Sequence, residues 1–202
     1  MFMQIIITEN QFRILKEEMD GLNEFKSRTL NRFPEIKDFW EVIEKFIVNS
    51  ECKKIELTSI PYALGASLID RVILNPSVFN QTLNNFLFTL FHEIAHQYQY
   101  KKYGNQKMTE FYTNRISIDE AADFMYRTEM VADEFATRKL RELVRLGHLE
   151  NSKLPTGYYK SLPIYVFKKL ISTIKSQITD VEDKSPEEIN EVLYNWIRNG
   201  FQ

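Results

Sequence analysis

Apolar residues along most of this chain recur at intervals of three and four, the period that gathers them on one face of an α-helix. The pattern predicts helices over about Glu9 to Arg32, from Pro34 through EIKDFWEVIEKFIVN, over Asn80 to Gly104, Ser117 to Leu146, Leu162 to Ile178, and Pro186 to Asn199. In the second of these Phe39, Trp40, Ile43, Phe46 and Ile47 share one side, and in the third Leu83, Leu87, Leu90, Phe91 and Ile94 do. The end signals agree with the period. Pro34 suits a first helical position, an Asn or Thr can cap the third helix and Gly104 can close it in the left-handed conformation. Gly147 breaks the fourth, and Ser185 with Glu188 forms a capping-box pattern at the start of the last.

The period changes between Lys53 and Phe79. KKIELTSI and RVILNP are rich in β-formers and are separated by Pro61, Gly65 and polar residues, so they predict two or three short strands joined by turns. Gln4 to Thr8 is a further strand candidate, Asn105 to Ile116 a connection, and LPTG at 154–157 a loop. There is no internal repeat and no low-complexity segment. The expectation is an α+β protein with a small twisted sheet. An N-terminal strand and helical segment (1–52), a core (53–148) and a C-terminal helical extension (149–202) would pack as one unit.

Composition narrows the function classes. The chain has 202 residues, 44% apolar and 27% charged, with 26 basic against 28 acidic side chains and a net charge of −2. That balance lacks the basic excess of a general nucleic-acid or membrane-surface binder. A single cysteine, Cys52, forms no internal disulfide, and MFMQIIITENQF lacks the basic and long apolar parts of a signal peptide. The longest apolar run, around Phe86 to Phe91, is far short of the roughly 20 residues that span a bilayer. A soluble, cytoplasmic protein is expected.

The third helix carries the chemistry. It contains HEIAH, His92 to His96, which holds two of the three histidines in the chain. Histidines four apart on a helix lie one above the other, and a Glu beside the first reaches the same space. That suits two imidazole ligands on zinc with a carboxylate as base. The competing reading is a pair of surface histidines with Glu93 solvated. A catalytic zinc needs a third protein ligand and an open position. HExxHxxGxxH fails because Gln99 and Lys102 stand where Gly and His are required, HxxEH is absent, and no His lies between His96 and His148. A carboxylate from another helix remains. In EMVADEFA, Glu129 and Asp133 are four apart and share a face, beside Val131, Phe135 and the small Ala132 and Ala136. The plainer reading of this pair is a solvated acidic stripe on a helix; in the metal reading Glu129 would bind the ion. Asp133 would accept a hydrogen bond from the outer nitrogen of one His, which fixes its tautomer.

HExxH followed by ExxAD-x-FA resembles the gluzincin metallopeptidases, and most of all their small ImmA/IrrE-type and minigluzincin members. The similarity runs from about Leu57 to Leu140 and includes DRVILNPSVFNQTLNNFLFTLFHEIAHQ. It implies a zincin-like domain in which His92, His96 and Glu129 hold one zinc ion, Glu93 is the general base and Asp133 stands behind the ligands. The resemblance also implies a peptide or protein substrate bound in extended form, as a strand added beside Arg71, Val72, Ile73, Leu74 and Asn75. Larger gluzincins with ExxAD are often membrane proteins, and the lack of membrane segments here favours the small soluble branch. The implied activity is that of a zinc metalloendopeptidase using metal-activated water.

The oxyanion donor is not assigned by the motif. Tyr100 and Tyr103 follow His96 by four and seven residues, Tyr98 and Tyr112 lie nearby, and His148 is the one remaining imidazole. Each has a plainer reading, packing for the tyrosines and a helix C-terminal contact for His148. Two other functions stay open. One is a non-catalytic, zinc-stabilised binding or regulatory module, although a closed structural site has no need of Glu93. The other is a nucleic-acid partner acting through RKLRELVR at 138–145, whose mixed charges read more simply as a solvated helix face.

Overall fold

A computed structural model describes residues 9–50, 52–60, 63–112, 116–151, 154–155, 157, 159, 162–177 and 184–199, with the backbone alone for 9–20, 105–109, 111–112 and 186. The strand candidate Gln4 to Thr8 lies outside them. Helix α1 spans Glu9–Arg32, followed by a 3-10 helix at Pro34–Phe39 and α2 at Trp40–Asn49. The single helix expected from Pro34 is thus two elements. Phe39, at φ −134°, leaves the helical region so that both its own ring and that of Trp40 are buried.

Three strands follow: β1 (Lys54–Leu57), β2 (Gly65–Ser67) and β3 (Arg71–Leu74). Their order is β1-β3-β2, with β3 parallel to β1 and antiparallel to β2. This corrects one expectation. Arg71, Val72, Ile73 and Leu74 form the central strand, paired on both sides, and cannot receive an added strand. Asn75 caps the 3-10 helix Pro76–Asn80, accepting from the Ser77 N–H at 3.0 Å and donating to the Ile60 carbonyl at 2.7 Å. The edge strands are β1 and β2, and the Gly-Ala-Ser sequence of β2 carries no β-propensity of its own and is held by its neighbours.

Because side chains alternate along a strand, β3 feeds two cores. Val72 and Leu74 join Phe25, Ile36, Trp40, Ile43 and Ile47 of the N-terminal helices. Ile73 joins Ile60, Leu68 and the C-terminal helices α5 (Ile164–Gln177) and α6 (Pro186–Arg198), through Phe167, Ile171, Ile174, Ile189 and Leu193. Helix α6 begins with the expected capping box, Ser185 with Glu188.

Helix α3 (Leu83–Tyr112) starts with the Thr82 hydroxyl accepting from the Asn85 N–H at 3.4 Å. Phe86, Leu87, Phe88, Leu90, Phe91 and Ile94 are all fully buried. At roughly 1.5–3 kcal/mol each, they anchor the first half of this helix in the core. Gly104, at φ 77° and ψ 156°, breaks the helix as expected, but helical turns resume up to Tyr112 where a connection was predicted. No proline follows Gly104 to prevent it.

Helix α4 (Ile118–Arg145) packs along α3. Its start is capped by Ser117 and Glu120. At its end Gly147, φ 79°, donates to the Val144 carbonyl and His148 to that of Leu143, the paired bonds of a Schellman motif. Val131 is half exposed, while Ala132 and Ala136 are buried and let the two helices approach. Among the described residues no helix is long and apolar enough to cross a membrane.

Candidate metal centre

Beyond its apolar stripe, α3 shows two polar faces, each turned to a different neighbour. His92, His96 and Gln99 face α4, and Glu93, Gln97 and Tyr100 face the β2–β3 hairpin. Both triplets are spaced for a shared helix face. The second triplet fixes the hairpin. The Gln97 amide donates to the Leu68 carbonyl at 2.6 Å, to the Arg71 carbonyl at 3.3 Å and to the Ser67 hydroxyl, and the Tyr100 hydroxyl donates to the Ser67 carbonyl at 3.0 Å. Strand β2 is therefore set at a fixed height over the motif by side chains of the motif's own helix.

The first triplet meets Glu129 and Asp133 of α4. His92 Nδ1 bonds Asp133 Oδ1 at 3.0 Å. His96 Nδ1 bonds Gln99 Oε1 at 2.8 Å, and the same amide donates its N–H to the Thr128 carbonyl at 2.7 Å. Carboxylate and amide oxygens only accept, so each imidazole carries a proton on Nδ1 and turns Nε2 inward. The inward atoms converge: His92 Nε2 to His96 Nε2 is 3.1 Å, His92 Nε2 to Glu129 Oε2 is 3.0 Å, and His96 Nε2 to Glu129 Oε2 is 3.5 Å.

Two lone pairs and a carboxylate facing one point repel one another unless a cation lies among them. A tetrahedral ion with bonds of about 2.0–2.1 Å has ligand-to-ligand edges of about 3.3–3.4 Å. The three observed separations bracket that value. His92, His96 and Glu129 could therefore hold a metal ion.

Charge behaves accordingly. Burial alone would depress the His92 imidazole, but its bonds to Asp133 and Glu129 outweigh burial and lift it to about 10. Burial would raise Glu129, yet both imidazoles pull its carboxyl well below the usual carboxylate range. Without a metal, a proton thus holds the ligands together. Burial raises Glu93, against the pull of His92 and His96. Its carboxylate lies against β2, where a Cβ at Gly65 would fall 2.7 Å from Glu93 Oε1. Only glycine fits there.

Asp133 has a second task. Its Oδ2 accepts from the Tyr159 N–H at 2.9 Å, and the Tyr159 ring stacks on His92 with centroids 5.5 Å apart. Replacing Asp133 by Ala frees the His92 tautomer and this loop together. We expect metal affinity to fall by roughly 10–100-fold, as for other partners of ligating histidines. Competition with a chelating dye measures it.

Other expected site residues are elsewhere or otherwise engaged. Tyr100 lines the site, but its hydroxyl is bonded to β2. Tyr103 packs edge-on against Phe124 at 5.8 Å, and Tyr98 packs at a tilt against Phe135. His148 stacks on Phe39 at 4.9 Å, at the end of α4. The side chain of Tyr112 is outside the described residues. In the basic segment, Leu140 and Leu143 are buried and Lys139 pairs with Glu142 at 2.9 Å, as in an ordinary amphipathic helix.

The residues missed from sequence are Gln99, Gln97, Gly65 and Tyr159. Gln99 had a signal, because it follows His96 by three on the ligand face. Tyr159 had none, as it reaches the site from a loop without periodicity. No family model, curated protein or solved structure matches the chain.

Proposed function

We propose that this chain is a zinc-dependent metallopeptidase of the gluzincin kind. One observation carries the reading: two inward Nε2 atoms, each locked by a bond at Nδ1, meet Glu129 Oε2 beside a buried Glu93. A structural zinc has no use for that fourth group. The resemblance of HExxH with ExxAD to gluzincins supports the same choice, and the single cysteine accords with a cytoplasmic setting.

Zinc held by His92, His96 and Glu129 supplies Lewis acidity, polarising a peptide carbonyl and making water acidic enough to attack near neutral pH. The chain's own groups do the rest. Glu93 accepts a proton from the attacking water and returns it to the leaving nitrogen. Burial raises its carboxyl, which makes it a stronger proton acceptor than a solvated glutamate. Asp133 and Gln99 keep the imidazoles aimed.

The substrate backbone has a natural seat on β2. Leu64 and Leu68 bond Asn75 and Arg71 of the β3 side, so alternation turns the N–H and C=O of Gly65 and Ser67 the other way. Ser67's carbonyl takes the Tyr100 hydroxyl, which leaves Gly65, directly against Glu93, as the contact for an extended peptide.

Cleavage of a peptide mixture by zinc-loaded protein, followed by mass spectrometry, tests the reading. Chelation should stop cleavage and zinc should restore it. Zinc binding without cleavage of any peptide would instead mark a structural ion. Proton linkage gives a second test. Because His92 holds a proton up to pH about 10 in the metal-free site, zinc must displace it. His96 is raised as well, so we expect at least one proton released per zinc and an affinity that rises with pH while the imidazoles stay protonated. Calorimetry in two buffers of different ionisation enthalpy measures the proton count.

A further inference from the structure

A cavity of about 560 Å³ lies behind the metal centre, between α4 and the chain that returns along it at 151–155. None of His92, Glu93, His96 and Glu129 lines it. Small-molecule sites occupy about 300–1,000 Å³, so a whole ligand fits. Asp133 is the one residue shared with the centre, and both its oxygens are engaged, by His92 and by the Tyr159 N–H. It is therefore not a free negative charge facing the cavity.

The floor is a stripe of α4. Met130, Glu134, Thr137 and Arg141 follow one another at four, three and four residues, the spacing of one helix face, and Arg138 flanks them. The basic segment RKLRELVR thus divides its work. Lys139 pairs with Glu142 at 2.9 Å. Arg138 and Arg141, the two that line the cavity, are exposed, and among the described residues neither pairs with a carboxylate, although Glu134 stands four before Arg138. Arg138 does lie over the Phe135 ring, at 5.5 Å, which leaves its N–H groups open.

A guanidinium presents planar pairs of N–H groups that match the two oxygens of a carboxylate or phosphate. Here there are two of them, with the Thr137 hydroxyl and the Asn151 amide as neutral donors beside them. Met130, Leu154 and Pro155 add an apolar wall. The charges are also sorted along the helix. Both arginines stand toward its C-terminal end, and Glu134 one to two turns before them. We propose that this cavity binds a small organic anion, a phosphate or carboxylate group on an apolar body, with the anionic group held by Arg138 and Arg141. The inference is independent of the peptidase reading.

Ligand-observed NMR titration of the full chain with phenyl phosphate, benzoate, inorganic phosphate and benzylamine tests it. Phenyl phosphate or benzoate should bind saturably at millimolar concentration, and the tighter of the two names the headgroup. Inorganic phosphate, which buries no ring, should bind roughly tenfold more weakly than phenyl phosphate, and benzylamine should not bind. Arg138→Gln and Arg141→Gln should each weaken the aromatic anion by roughly tenfold or more. Glu134→Gln should leave its affinity equal or higher. Arg145→Gln, in the same segment but outside the cavity, should leave it unchanged, as should Glu129→Ala at the metal centre. The arginines and Glu134 are all exposed, so these variants fold, and an unchanged melting temperature verifies it.

No saturable binding of either aromatic anion would overturn the site, as would benzylamine binding equally well. Equal weakening by Arg145→Gln would reduce the effect to the general charge of the helix and overturn it too. So would binding that survives both cavity substitutions and vanishes in Glu129→Ala, because the anion would then sit on the metal ligands.

Discussion

Glu93→Gln is expected to lower peptide hydrolysis by roughly 10²–10⁴-fold, the usual contribution of a positioned general base, while zinc stays bound. The amide matches the carboxylate in shape and still fits the slot against Gly65, where no larger backbone neighbour is tolerated. What it loses is the ability to take a proton. The substitution should not unfold the protein. Burial raises the Glu93 carboxyl, and an acid with a raised folded pKa weakens the fold as pH climbs above its unfolded value of about 4.3. A neutral amide removes that penalty, so the metal-free variant should melt at or above the wild-type temperature. A peptide-cleavage assay beside a thermal melt checks both halves. Hydrolysis within a few-fold of wild type would show that Glu93 is not the base.

Zinc itself should give the largest change in stability. The candidate ligands come from two helices, His92 and His96 on α3 and Glu129 on α4, so one ion would tie together the two longest packed elements around the site. At zinc a thousandfold above its dissociation constant, linkage adds about 4.1 kcal/mol. For a chain of this size each kcal/mol moves the midpoint by roughly 2–4 °C, so saturation should raise it by roughly 8–16 °C. In Glu129→Ala the remaining imidazoles lie on one helix and bridge nothing, and most of that shift should vanish. Scanning calorimetry with zinc and with chelator measures it. An equal shift in wild type and variant would remove Glu129 from the ligand set.

Much of this was legible in the sequence because helices announce themselves locally. The capping box at Ser185 and the breaks at Gly104 and Gly147 depend on particular residue types at particular places. The approach of Glu129 and Asp133 to HEIAH was also readable, because ligand chemistry demanded a third donor and few candidates existed. The sheet was harder. RVIL reads as a strand but not as a central one, since pairing is decided by residues far away in sequence. GAS reads as no strand at all, because Gln97 and Tyr100 hold it from outside. Spacing also misled for Tyr100. It reaches the site as expected, yet its hydroxyl serves the backbone of β2. The described side chains of the N-terminal helices pack on the Val72–Leu74 face, and it is α5 and α6 that wall the site.

The most direct test of the central claim is the metal content of wild-type protein, Glu129→Ala and Glu93→Gln, purified identically and measured by elemental analysis. About one zinc per chain is expected in wild type and in Glu93→Gln, and little in Glu129→Ala. Folded wild-type protein that holds no zinc, even after zinc is added back, would contradict the metal reading, and HEIAH would then be a pair of helix histidines beside two carboxylates.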